Sequence, residues 1–370
     1  MNLLYVTTTT DLGGAEKALL SLVRAMAKEN TVKVVSLKPA GVLAPLLEKA
    51  GAQVVSLNMK RWGVGLLPAL RKEIRAFKPA FIHAILFRGM ELTRLACWKD
   101  TIPLVTTPHF DLSKKPFLLR LLDRFLRRRD TYTVAESEST QNYLLSAQKY
   151  PKEKIRLILN SPEEGKFFRD PQRRAQMRME NGYLAEQIIF LNVARLEKVK
   201  NPIFLLKSFL TVYQQNPNVR LILVGQGALK SAVQAFITEN KLQNAVKLAG
   251  EKQNINDWLN LADVFVLPSE EESLPLSLLE ALKAGKPCIV TQVGDMPVWV
   301  EPGQNGFVVP SGNEKELSKA LLKISLEPAL RREMGENSLK KAAGIKDSIL
   351  EYQKLYHQIL EESFHVKTLK

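Results

Sequence analysis

Short apolar runs of strand length alternate with stretches of helical periodicity along almost the whole chain, and no other feature restricts the fold as strongly. Residues 3–8 form an apolar run rich in β-branched side chains, and a helical pattern follows over 16–28. A strand at 31–37, a helix at 43–50 and a strand at 53–57 continue the series, with further strands expected at 81–86, 104–107 and 131–135. Such β-α-β succession predicts mostly parallel sheets covered by helices. It stops between residues 160 and 181, where Ser161-Pro162, Asp170-Pro171 and a charged run mark a domain junction. It resumes with strands at 188–193, 219–224, 246–248, 264–267 and 288–290, and helices at 203–213, 229–239 and 276–284. The expected architecture is two doubly wound α/β halves with a cleft between them.

The chain has 370 residues, 45% hydrophobic and 25% charged, which suits two folded domains of ordinary size. Cys97 and Cys288 lie in apolar surroundings and are expected as buried free thiols of a reducing compartment. The N-terminus lacks the basic start and small-residue cleavage site of a signal peptide. No apolar run reaches the ~18–20 residues of a membrane-spanning helix. These readings predict a cytoplasmic protein. A formal net charge of +15 points to an anionic partner, whether nucleic acid, membrane surface or acidic substrate. No nucleic-acid recognition motif or aromatic–basic stacking platform appears, so no nucleic-acid partner is expected.

Open parallel sheets bind ligands beyond the carboxyl ends of their strands, so the residues that follow each strand carry the functional reading. The most informative segment, 264–290, reads strand, acidic loop, helix, Gly stop, strand. Pro275 suits the first turn of its helix and Gly285 the C-terminal end. Glu280 then sits inside the helix between Leu279 and Ala281, where a carboxylate can accept two hydrogen bonds from a vicinal diol such as a ribose. Glu272 precedes the helix, beside Ser273 and Leu274, and the helix N-terminus is a natural seat for a phosphate. In the segment 190–203, Arg195 and Lys200 follow a strand and precede Asn201-Pro202. Two such cations can hold a diphosphate and stabilise charge growing on a departing nucleoside diphosphate. Taken alone, that loop also reads as a solvated basic turn.

Weaker signals surround these. Gly13-Gly14 after the first strand allows backbone N–H groups to approach a phosphate or sugar, or simply makes a tight turn. Gly225-Gln-Gly227 starts a dinucleotide fingerprint that fails at Lys230, and Gly225 is read as lining a nucleotide pocket. His83 and His109 both follow the strand pattern of the first half, with His109 at the expected cleft edge. No Asp-X-Asp pair, His-Glu-X-X-His or Cys/His cluster appears, and no bound metal is expected. In 114–129 a helical wheel places Phe117, Leu118, Leu121, Leu122, Phe125 and Leu126 on one face and Arg120, Arg124, Arg127 and Arg128 on the other. With Lys114 and Lys115, this basic amphipathic helix is a candidate membrane or acceptor contact, or a domain helix with a solvated basic face.

The sequence resembles the retaining glycosyltransferases of family 4 (group 1), over nearly its whole length and most specifically from residue 190 to 310. The resemblance rests on Glu272 and Glu280 with seven residues between them, on Arg195 and Lys200, and more weakly on Gly13-Gly-Ala-Glu16, Thr107-Pro-His109 and Leu159-Asn-Ser-Pro162. It implies the GT-B fold, α/β with two Rossmann-like doubly wound domains facing across a cleft. The N-terminal acceptor-binding domain would span 1–165 plus 349–370, and the C-terminal nucleotide-sugar-binding domain 166–348. It further implies that Arg195 and Lys200 bind the donor diphosphate, Glu280 the ribose and Glu272 the sugar hydroxyls. Gly13 and Gly14 would approach the β-phosphate and sugar, with His109 against the transferred sugar. Two positions depart from the family pattern, Ser273 where Gly is commoner and Val298 where Glu is frequent.

The expected activity is metal-independent transfer of a sugar, with retention, from a nucleoside-diphosphate donor to a glycan or lipid-linked acceptor of cell-surface polysaccharide synthesis, such as lipopolysaccharide or capsule. No cofactor is expected beyond the nucleotide sugar itself, and a UDP-sugar is favoured over a GDP-sugar. A nucleotide-sugar epimerase on the same fold is the alternative. The basic first half suits a peripheral position at the inner face of the cell membrane.

Overall fold

A computed structural model describes residues 1–58, 65–109 and 115–368, with side chains described as far as Glu362. The chain divides into two compact units, Met1–Asn160 with Asp347–Lys370, and Ser161–Lys346.

The first unit opens with β1 (Asn2–Thr7), α1 (Gly14–Met26), β2 (Thr31–Ser36), α2 (Ala44–Lys49) and β3 (Ala52–Ser56). It continues through α3 (Leu66–Phe77), β4 (Phe81–Ile85), α4 (Phe87–Ala96), β5 (Leu104–Thr107), α5 (Phe117–Leu126), β6 (Tyr132–Ala135), α6 (Glu138–Ser146) and β7 (Ile155–Leu157). The sheet order is β3-β2-β1-β4-β5-β6-β7, and every pairing is parallel. Strands β1, β4, β5 and β6 are buried almost throughout because helices cover both faces of the sheet, which is why they read as short runs of largely apolar and β-branched residues without polar alternation.

The second unit contains α7 (Pro171–Glu180), β8 (Ile188–Val193), α8 (Pro202–Gln215), β9 (Val219–Val224), α9 (Lys230–Glu239), β10 (Val246–Gly250) and α10 (Ile255–Leu261). Then follow β11 (Val264–Leu267), α11 (Leu276–Lys283), β12 (Cys288–Thr291), α12 (Met296–Trp299), β13 (Gly306–Val309), α13 (Glu314–Leu326) and α14 (Pro328–Ala342). Its sheet order is β10-β9-β8-β11-β12-β13, again parallel throughout. The last helix, α15 (Ser348–Thr368), returns to the first unit, where Tyr352, Leu355, Tyr356 and Ile359 pack with Leu19, Val23 and Phe81.

In both sheets the winding direction reverses once, between β1 and β4 and between β8 and β11. The crossovers leave on opposite faces there, so the loops after those strands diverge and leave a crevice at the carboxyl edge of the sheet. The residues following β1, β4, β8 and β11 are therefore the ones the topology assigns to a ligand.

Cys97 in the first unit and Cys288 in the second are both buried free thiols. Burial pushes the Cys97 thiol up to about 11 and Cys288 higher still. Among the described residues, no helix is long and apolar enough to cross a membrane.

Candidate active site

In the second unit, the loop after β8 and the loop after β11 meet at the switch point. Glu270 N–H donates to the Val199 carbonyl at 2.8 Å, tying the two loops together. Across this seam, Lys200 Nζ donates to Glu272 Oε1 at 2.5 Å. Ser269 Oγ donates to the same oxygen at 2.7 Å, and the Ser269 carbonyl accepts from Thr291 Oγ1 at 2.5 Å. Asn192, buried inside β8, donates to the Val266 carbonyl at 2.8 Å and braces the strands that carry both loops. The carboxylate and the ammonium thus orient one another on a backbone fixed from three sides.

Arg195 behaves differently. Its side chain is exposed and pairs with Glu197 at 2.8 Å, within its own loop. Of the expected set of Arg195 and Lys200 with Glu272 and Glu280, Lys200 and Glu272 are paired directly, while Arg195 is held by Glu197. A long exposed guanidinium is readily recruited by the carboxylate two residues away, and an exposed pair of this kind holds it weakly.

Glu280 is buried in α11, which excludes a merely exposed helix position for it. Pro275 is the residue capping α11 rather than one within its first turn. Gly285 takes the left-handed conformation just beyond the helix end, at φ +65°. Leu274 is buried and Ser273 half-buried at the start of this helix. Ser273 presents its carbonyl to Asp295 N–H at 2.9 Å. A Cβ on Gly294 would lie 2.3 Å from the Glu272 carbonyl, so the turn after β12 lies directly on the Glu272–Ser273 backbone. Ser269, Glu197 and Gly294 were not singled out from the sequence. A glycine in a turn after the adjoining strand was the available signal for the last of them.

Gly225 has φ +141°, and a Cβ there would come within 2.0 Å of the Ala194 carbonyl. The broken fingerprint therefore has a packing reason. It lets the turn after β9 lie against the β8 loop, where Leu196 N–H donates to the Gln226 carbonyl at 2.9 Å.

In the first unit, Gly13 is the extended residue preceding α1 and Gly14 is its first residue. A Cβ on Gly13 would meet the Glu16 carboxylate at 2.3 Å, whereas Gly14 has open space around its α-carbon. His109 is half-buried two residues beyond β5, with φ +54°. Desolvation lowers its pKa to about 4, so the ring is neutral near pH 7. Leu86, just beyond β4, has φ 65° and ψ 154°, and its N–H donates to the Thr107 carbonyl at 3.1 Å. Asn201, next to Lys200, has φ 54°. Leu86, His109 and Asn201 thus take left-handed φ values in segments that follow carboxyl ends of strands.

His83 is not at a strand end. It lies inside β4, fully buried, with Nδ1 2.6 Å from the Tyr356 hydroxyl and Nε2 2.8 Å from Thr107 Oγ1. Burial, reinforced by His109, lowers its pKa to about 3. It is a satisfied core histidine.

The 114–129 segment departs most from expectation. Lys114 lies outside the described residues. Lys115 sits over the Phe87 ring at 5.3 Å, and Arg120 is half-buried with its guanidinium 5.9 Å from the Phe117 ring. Arg124 and Arg128 are exposed. Arg127 was expected on a solvated or membrane-facing basic surface but is fully buried, ion-paired with Asp123. The reason is Arg94 in α4, which pairs with Asp123 at 2.8 Å, Asp130 at 2.7 Å and Glu91 at 2.7 Å. Burial raises Glu91 to about 8, so Asp123 and Asp130 carry the cluster's negative charge near pH 7, and Arg127 supplies the second cation that balances them. The side of α5 that faces the unit is thus largely ionic, and Phe117, Leu118, Leu121, Leu122 and Phe125 point outward.

Two family models match the chain, "Glycosyltransferase Family 4" over residues 12–161 and "Glycosyl transferases group 1" over residues 174–341. The chain belongs to the family 4 (group 1) glycosyltransferases. It is 26% identical over 270 residues to the N-acetyl-alpha-D-glucosaminyl L-malate synthase of Bacillus anthracis, an alignment covering 71% of this chain and 70% of the relative. It is 29% identical over 152 residues to the UDP-Gal:alpha-D-GlcNAc-diphosphoundecaprenol alpha-1,3-galactosyltransferase of Escherichia coli, covering 40% of this chain and 39% of that protein. Several curated relatives are thus matched over less than half their length. The crystal structure of Anabaena Alr3699/HepE in complex with UDP-glucose superposes with a TM-score of 0.84 at 20% identity, covering 97% of this chain and 99% of that one. This establishes the GT-B fold. Membership of the family selects a transferase over the epimerase that the sequence alone left open.

Proposed function

We propose that this glycosyltransferase moves a sugar, with retention and without a metal ion, from a UDP-sugar to a glycan or lipid-linked acceptor in cell-surface polysaccharide synthesis. The observation that carries the reading is the Lys200–Glu272 pair, seated where the second sheet reverses its winding. A cation and a carboxylate fixed side by side suit a ligand that offers a phosphate next to sugar hydroxyls. In this reading, Lys200 and Arg195 bind the diphosphate, Arg195 after leaving Glu197. Glu280 accepts from the ribose and Glu272 from the sugar hydroxyls, with Gly225, Ser273 and Leu274 along the donor. Gly13 and Gly14 approach the β-phosphate and sugar, and neutral His109 donates a hydrogen bond to the sugar.

The acceptor hydroxyl attacks the anomeric carbon on the face from which the diphosphate departs. Its proton passes to the departing phosphate oxygen as the old C–O bond breaks, so no protein nucleophile is required. Lys200 and Arg195 stabilise the charge that grows on the diphosphate, which is the role a metal ion would otherwise fill. A UDP donor is supported by the UDP-glucose bound to the Anabaena structure and by the donor named for the Escherichia coli relative. A lipid-linked acceptor is supported by that relative's diphosphoundecaprenol substrate and by the +15 net charge.

A thermal-shift panel of UDP-, GDP- and ADP-sugars tests the donor, because a ligand that binds the native state raises its melting temperature by mass action. UDP-sugars should give the largest rise, and turnover should be unchanged in EDTA. Stabilisation by a GDP- or ADP-sugar alone would replace the donor assignment.

A further inference from the structure

Helix α5 has its apolar side turned to solvent. Phe117, Leu118, Leu121, Leu122 and Phe125 are each between 43% and 76% exposed. The patch extends onto the end of α4, where Trp98 stacks on Phe125 with ring centroids 5.3 Å apart and Leu95 is also exposed. This orientation is fixed by the buried cluster beneath. Asp123 points inward to Arg94 and pairs with the buried Arg127, and rolling α5 to bury its exposed leucines would strand those charges. Contiguous exposed apolar surface of this kind marks an interaction site.

The surrounding charge selects the occupant. Residues 115–129 carry six cations, Lys115, Arg120, Arg124, Arg127, Arg128 and Arg129, and a single carboxylate, Asp123, which is buried. The outward surface is therefore apolar and cationic with no exposed carboxylate from this segment. Arg124 and Arg128, one turn apart, border the apolar stripe. Two copies packed through this face would bring like charges together, whereas an anionic lipid surface offers phosphates to the arginines and acyl chains to the leucines. Trp98 is the side chain suited to the boundary between the two.

We propose that the outward face of α5, with Trp98, inserts into the surface of an anionic bilayer while Arg124 and Arg128 bind lipid phosphates. The inference deepens the reading of a membrane-borne acceptor and rests on that reading for its biological purpose, but not for its geometry. Apolar insertion anchors the protein, and the basic residues steer it. This differs from attachment through a basic helix face alone, because part of the binding survives high salt.

The test uses the full chain with phosphatidylglycerol-containing vesicles and pure phosphatidylcholine vesicles as controls. The protein should cosediment with the anionic vesicles, retain part of that binding at high salt, and show a blue shift of tryptophan emission that Trp98→Phe removes. The exposed double variant Leu118→Gln/Leu121→Gln should partition on the order of tenfold more weakly while its melting temperature and its UDP-sugar thermal shift stay unchanged. Wild-type binding by that variant would overturn the proposal. So would an unshifted Trp98 emission on bound protein, or a dimer in analytical ultracentrifugation that the double variant dissociates. Vesicle binding without any UDP-sugar stabilisation would support the inference and overturn the donor assignment alone.

Discussion

Lys200 Nζ lies 2.5 Å from Glu272 Oε1, with the two side chains only 19% and 8% exposed. At that degree of burial each group fixes the position of the other, and Ser269 completes the set. Removing Lys200 leaves a carboxylate with one hydroxyl partner. Removing Glu272 leaves an ammonium without its orienting partner. The pair acts as a unit, and its members are expected to be energetically coupled.

Lys200→Ala should lower kcat by about 10²–10³, as for loss of one preorganised donor to a developing oxyanion. Glu272→Gln should also lower turnover, and the double variant should lose less than the sum of the two, with a coupling of about 0.5–3 kcal/mol. Steady-state kinetics on the four proteins measures this, and strict additivity would show that the ion pair has no part in the reaction.

Gly225→Ala places a methyl group where the Ala194 carbonyl stands, in a conformation with φ +141°. The variant should lose about 1–3 kcal/mol of stability in urea titrations, and the shifted β8 loop should weaken UDP-sugar binding at Lys200. Gly14→Ala, which meets open space, should leave stability nearly unchanged.

Arg94→Met leaves Asp123 and Asp130 short of their shared cation inside the first unit. Breaking one side of a buried ion cluster should destabilise by about 3–5 kcal/mol, seen as a fall in the denaturant midpoint. An exposed pair such as Lys354–Glu351 should give less than about 1 kcal/mol on Lys354→Ala.

Buried His83 sets an acid limit to stability. Its pKa is 6.5 in the unfolded chain and about 3 in the folded one. Between those values the unfolded chain holds a proton that the folded chain refuses, so stability falls as pH falls through the window, by up to about 1.4 kcal/mol per pH unit. His83→Gln should show a shallower decline from pH 6.5 downward in chemical denaturation. An unchanged slope would mean that other groups govern acid unfolding.

Much of this protein was readable in one dimension because the relevant signals are local. Strand and helix periods are properties of neighbouring residues, so the alternation from Leu3 to Val290 already specified two parallel sheets, while the short edge strands β7 and β13 were not legible. The spacing of Glu272 and Glu280 around Pro275 likewise placed one carboxylate in the loop and the other in the helix. Tertiary structure decided what depends on residues distant in sequence. Lys200 found Glu272 across 72 residues, while Arg195 took its near neighbour Glu197. His83 gained its partner Tyr356 from 273 residues away, which fixed it in the core. Arg94, 29 residues before Asp123, anchors the ionic cluster that buries Arg127 and leaves the apolar side chains of α5 exposed. A helical wheel shows which side chains share a face, but which face is buried depends on the charges waiting underneath.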